Sequence, residues 1–187
     1  ASRWMSFPAW DTAWTRGSRS ASAPAWNRPL ARRRRCDTPA MHLSFGPEVT
    51  TLSMEDGSAV TAGPSPAALA DSCFRHDPPT PRELEHAIDI VEDALMAAMP
   101  PRGSGAPLTT AEPSLRLLPG FAEVDSALSR DAIEGMFQQL VSLASGSPGS
   151  NASVLADRAV AAALLITREY MHHLDFDSIS VAHAPAV

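Results

Sequence analysis

The apolar positions of this chain change period along its length, and each change marks an element. From Glu48 the text alternates through Val49, Thr51, Leu52 and Met54, breaks at Glu55-Asp56-Gly57-Ser58, and resumes at Val60. Asp-Gly between two extended segments is a hairpin signal, so the pattern predicts a β-hairpin over about 48–62. Strand-like patterning opens just ahead of it, at Met41. Residues 63–80 read as connective, because Pro64, Pro66, Pro78 and Pro79 interrupt them. At Thr80-Pro81-Arg82-Glu83 the sequence supplies an N-cap, a proline at the first helical position and a glutamate at the third. Leu84, Ile88, Val91 and Leu95 then recur at helical spacing, while Glu85, Asp89, Glu92 and Asp93 hold the other side; this first helix should stop near Met99, before Pro100-Pro101.

Residues 100–120 are rich in Pro and Gly and predict a long loop, with room for a short strand at Leu115–Leu118. A second helix starts at Ser129 or Arg130 and should bury Ile133, Phe137, Leu140, Val141 and Ala144, with Gly146 just past its end. A third runs from about Ser153 to Leu174, capped by Asn151 or Ser153, and is apolar nearly all round from Ala159 to Ile166, which predicts a central position. Asp177 to Val181 alternates like a strand. The expected fold is therefore α+β: three principal helices around a central helix of the C-terminal half, with a small antiparallel sheet made from the hairpin near 48–62 and a C-terminal strand.

Charge divides the chain. All 15 basic residues are Arg; eight of them, against Asp11 and Asp37, fall in residues 1–40, so that stretch carries +6 and the remainder carries −12. The expected organisation is a basic, disordered N-terminal extension over 1–40 and one globular domain over 41–187. The extension also holds all four Trp and the run Arg32-Arg33-Arg34-Arg35, which could neutralise phosphates of a nucleic acid while the indoles stack on bases. Arg-rich, Ser-rich, acid-poor text also suits an organelle transit segment. The plainer account is preferred: a GC-rich gene translated ahead of a start at Met41 would give this Arg/Pro/Trp text. The longest apolar run, Ala159–Ile166, is far short of the ~20 residues of a membrane-spanning helix. A soluble, cytoplasmic protein with no membrane span is expected.

Some chemistry is excluded outright. Without Lys there is no Gly-x-x-x-x-Gly-Lys phosphate loop and no Schiff-base lysine, and two Cys make neither a disulfide scaffold nor a Cys-only zinc site. The sequence names no cofactor. Glu-x-x-His occurs twice, as Glu83/His86 and Glu169/His172, and such pairs on facing helices hold metals in di-iron bundles. Here Glu83 and His86 lie on the side of their helix away from the apolar stripe, and Glu83 already has a capping role. Cys73-Phe74-Arg75-His76-Asp77 brings a thiol, an imidazole and a carboxylate together, but catalytic groups normally converge from distant segments, so a half-buried Cys and a turn-forming Asp are preferred. Arg158, Leu165, Arg168, Glu169 and His172 fall on one sector of the third helix, where Leu165 ringed by charges would centre a contact patch. By elimination, the expected function is a small non-catalytic binding or regulatory domain, acting through a protein partner or self-association at that sector. A metal-dependent enzyme using the two Glu-x-x-His pairs, and a nucleic-acid binder using Arg32–Arg35, are the alternatives.

Overall fold

The structure, a computed structural model, describes residues 41–121, 126–147 and 152–181. Six strands, β1 (Met41–Phe45), β2 (Val49–Met54), β3 (Ala59–Pro64), β4 (Pro107–Thr110), β5 (Ala127–Ser129) and β6 (Ser178–Val181), form one sheet in the order β3-β2-β1-β4-β6-β5. The first three make an antiparallel meander; β1 pairs parallel with β4, and β4 with β6, while β5 returns antiparallel at the edge. The expected fold class is thus corrected: the sheet is mixed and six-stranded rather than small and antiparallel, and β6 is separated from the hairpin by both β1 and β4. The error has a physical source. β4 and β5 are only four and three residues long, and β4 begins with Pro107, so neither shows enough alternation to be told from loop.

Register explains why the sheet has one apolar face. One row runs Val60, Leu52, Leu43, Thr110, Val181 across β3, β2, β1, β4 and β6. Leu43, Leu52 and Val181 in it are buried, and the hydroxyl of buried Thr110 is satisfied by donating to the Leu43 carbonyl at 3.0 Å. His42, Ser44, Ser53, Thr109 and Ser180 fall on the alternate face and are only half-buried.

Five helices follow: α1 (Pro66–Cys73), α2 (Pro81–Ala98), α3 (Arg130–Ala144), α4 (Ala152–Leu155) and α5 (Arg158–His173). α2 starts as the sequence predicts, with a complete capping box in which the Thr80 hydroxyl accepts from Glu83 N and the Glu83 carboxylate accepts from Thr80 N. α1 occupies a segment expected to be connective. Pro66 does not break it, because it stands at the first helical position behind Ser65, whose hydroxyl accepts from Ala68 N. The expected third helix is two helices. Asp157 caps α5 by accepting from Ala159 N at 2.9 Å and Val160 N at 3.0 Å, and Asn151 lies outside the described residues.

α5 is the centre of the helical layer and packs against α1, α2 and α3. Every residue from Val160 to Met171 except Arg168 is buried. The long loop before β4 is anchored through Gly103, whose N–H donates to the Leu174 carbonyl at 2.6 Å. Among the described residues, no helix is long and apolar enough to cross a membrane.

Candidate functional site

The end of α5 gathers the densest charge chemistry of the described residues. Glu169 is fully buried; its Oε1 accepts from Arg168 Nη1 at 2.5 Å, and its Oε2 has no hydrogen-bond donor. Arg168 also donates through Nε to Glu134 on α3 at 2.9 Å and lies 4.9 Å over the Phe137 ring. Burial alone would raise the Glu134 carboxyl and lower the Arg168 guanidinium, but their mutual hydrogen bond and attraction outweigh it: Glu134 is held below the usual carboxylate range and Arg168 above its ordinary value. His173 Nε2 sits 3.1 Å from Glu92 Oε1 on α2 and 3.4 Å from Glu169 Oε2.

These placements sort the residues singled out by sequence. Leu165, expected as the exposed centre of a contact patch, is fully buried, because α5 is enclosed on more sides than its charge pattern implies. The sector is accordingly not one continuous surface. Arg158 is exposed at the start of α5, where it donates to the Phe74 carbonyl at 3.2 Å and meets Asp77 at 3.3 Å. His172 is exposed at the other end, edge-on to His173 with ring centroids 5.3 Å apart.

The two Glu-x-x-His pairs do not converge. Glu83 caps α2 and accepts from Arg75 N at 2.8 Å and His76 Nδ1 at 3.0 Å. Burial opposes its ionisation, but the hydrogen bonds from Thr80, His76 and Arg75 prevail and hold it at about 2. His86 is exposed. The α2 carboxylate that meets His173 on α5 is Glu92, nine residues and roughly 14 Å along the helix from Glu83. By sequence Glu92 falls on the outer side of its helix, and His172 and His173 stand in the last turn of theirs, where a cationic imidazole would favour the helix dipole. The i, i+4 spacing of Glu169 and His173 was visible; Glu92 depends on how α2 packs on α5. Arg32–Arg35 lie outside the described residues.

A second locus is defined by topology. In open α/β sheets, ligands bind beyond the carboxyl ends of the parallel strands. Beyond β1, a tight turn is closed by Gly46 N donating to Val49 O at 2.8 Å and is fastened to the start of α1, where Ser65 donates through Oγ to Pro47 O and through N to Glu48 O, both at 2.8 Å. Beyond β4, Glu112 extends back so that its Oε1 accepts from Phe45 N, the last residue of β1, at 2.6 Å. No hydrogen bond reaches Glu112 Oε2 from the described residues, and the side chain is half-buried. Sequence gave no sign of Glu112, because the contact requires β1 and β4 to be neighbours.

No family model matches the chain, and no curated protein does. Solved structures do. The chain is similar to the Aquifex aeolicus Ppx/GppA enzyme, with a TM-score of 0.60 and 14% identity over 77% of this chain and 53% of that one. It is similar to the type II variant of the Aquifex aeolicus Ppx/GppA phosphatase, with a TM-score of 0.60 and 14% identity over 79% of this chain and 54% of that one. A third structure, of the Aquifex aeolicus member of the Ppx/GppA family, gives a TM-score of 0.58 at 12% identity. The shared feature is the fold, and the chain spans about half the length of these proteins. The expectation of a non-catalytic binding domain acting through protein contacts is corrected here. That expectation rests on elimination; the fold is shared with proteins described as an enzyme and as a phosphatase, and the contact patch has its apolar centre inside the core.

Proposed function

We propose that this chain is a domain of a hydrolase acting on phosphoric esters or anhydrides, working at the carboxyl edge of β1 and β4. The observation that carries the reading is the likeness of its mixed sheet and helices to phosphatases of the Ppx/GppA type. The local geometry is compatible with it. Glu112 has one carboxylate oxygen fixed on Phe45 N and the other without a donor, so it can take the proton from a water that attacks phosphorus, while the P–O bond to the leaving group breaks. The hydrogen-bonded turn at Gly46–Glu48 would border the bound phosphate.

The groove between α3 and the end of α5 is a poorer phosphate site despite its arginines. Arg168 is engaged by Glu134 and Glu169, and Arg130 by Asp175, Asp177 and the Phe176 carbonyl. An incoming phosphate would have to displace those carboxylates. The test is release of inorganic phosphate from p-nitrophenyl phosphate, a nucleoside triphosphate and a linear polyphosphate, with Glu112→Gln alongside. Release that falls at least about 100-fold in the variant supports the reading, since general-base catalysis contributes ~10²–10⁴. Release that the variant leaves unchanged moves the site away from Glu112.

A further inference from the structure

We propose that Glu92, Glu169 and His173 form a binding site for a zinc-class divalent cation that ties α2 to the end of α5. This goes beyond the hydrolase reading and stands on other residues. α5 ends where the chain turns into β6, so its last turn lies at the amino end of the parallel strands, opposite the edge that carries Glu112.

Three observations carry it. First, one imidazole nitrogen faces two carboxylates at once: His173 Nε2 is 3.1 Å from Glu92 Oε1 and 3.4 Å from Glu169 Oε2. A single N–H can be aimed well at only one oxygen. A metal bonded at ~2.0–2.2 Å to each ligand in tetrahedral geometry instead places ligand atoms roughly 3.3 Å apart. One donor atom from each of the three residues lies within 4.8 Å of the others, and this is the one such group of three among the described residues.

Second, Glu169 is fully buried and its Oε2, the oxygen turned toward His173, accepts no hydrogen bond. A buried carboxylate oxygen left without a donor is costly, and it is rare unless something absent from the protein's own atoms serves it. Arg168 is committed to Oε1 and does not compete for Oε2.

Third, the local charge is that of a dication's counterpart. The carboxyl groups of Glu92, Glu169 and Glu134 cluster here, and the Arg168 guanidinium pairs with those of Glu134 and Glu169. One imidazole with two carboxylates suits zinc and its transition-metal neighbours better than Mg²⁺, which prefers oxygen ligands in an octahedron. Three protein ligands leave a fourth position for water. His173 also lines a groove of about 360 Å³ with Met96, Met99 and Arg102.

The test is calorimetric titration of the chelator-treated full chain with Zn²⁺, and separately with Mg²⁺. The expected result is one Zn²⁺ per chain and a raised Tm, with Mg²⁺ far weaker. His173→Ala and Glu92→Gln should each weaken Zn²⁺ at least about 10–100-fold, the range that even outer-shell partners command. His172→Ala and Cys73→Ser should leave it unchanged. Glu92 and His173 are part-exposed, so both variants should fold, and far-ultraviolet circular dichroism checks this. Absence of stoichiometric Zn²⁺ binding overturns the proposal, as does binding that survives His173→Ala or is lost on His172→Ala. Because the readout is metal occupancy, failure here leaves the Glu112 reading untouched, and the reverse also holds.

Discussion

The phenol of Tyr170 on α5 donates to the carbonyl oxygen of Ala62 on β3, joining the central helix to the far edge strand of the sheet. Both residues are buried. Tyr170→Phe keeps the ring and removes the donor, and should destabilise by about 1–3 kcal/mol, measured by urea denaturation. Burial pushes this phenol above its ordinary value of 10.0. A group raised in the folded state contributes stability that is fully present below the unfolded value and is lost above it. Stability should therefore fall as pH rises past about 10. Tyr170 is the single tyrosine of the chain, so tyrosinate absorbance should appear only together with alkaline unfolding.

The cap of α2 gives the acid-side counterpart. Thr80→Ala should cost about 1 kcal/mol. Glu83 is depressed to about 2 in the folded protein by its hydrogen bonds from Thr80, His76 and Arg75. Its contribution is fully present above the ordinary value of 4.5 and is lost as pH falls toward 2. Melts of wild type and Glu83→Gln should differ at pH 6 and converge at the acid end; a constant difference would place the effect in packing rather than charge.

Leu165 distinguishes a surface helix from a central one. Fully buried, it should cost about 2–5 kcal/mol on truncation to Ala, as should its neighbour Ile166. A Leu165→Ala change of under about 0.5 kcal/mol would instead fit the exposed position that the charges of α5 suggest.

What the sequence made legible was local. The α2 cap needs only Thr80, Pro81 and Glu83 in order, and the hairpin needs only Asp56-Gly57 between β-prone runs. α1 carried the same signature in Ser65-Pro66, hidden by the surrounding prolines. The sheet order was not legible, because β4 and β5 are too short to show a period and parallel pairing is decided across intervening helices. The candidate sites failed for the same reason. Glu112 matters through Phe45, and Glu92 through His173, contacts that bridge 67 and 81 residues.

Gly103 tests how firmly the long loop is seated. A Cβ there would stand 2.3 Å from Phe176 Cδ1 and 2.4 Å from Cε1, so the ring must move. Gly103→Ala should destabilise by about 1–3 kcal/mol in thermal or chemical unfolding.

Phosphate release by wild type and Glu112→Gln, compared under identical conditions, decides the proposal that phosphoryl hydrolysis takes place at the carboxyl edge of β1 and β4. On that proposal wild type turns over, and a variant with an unchanged melt is at least about 100-fold slower. A wild type that releases no phosphate from an ester, a nucleoside triphosphate or a polyphosphate, or a Glu112→Gln variant as active as wild type, would contradict it.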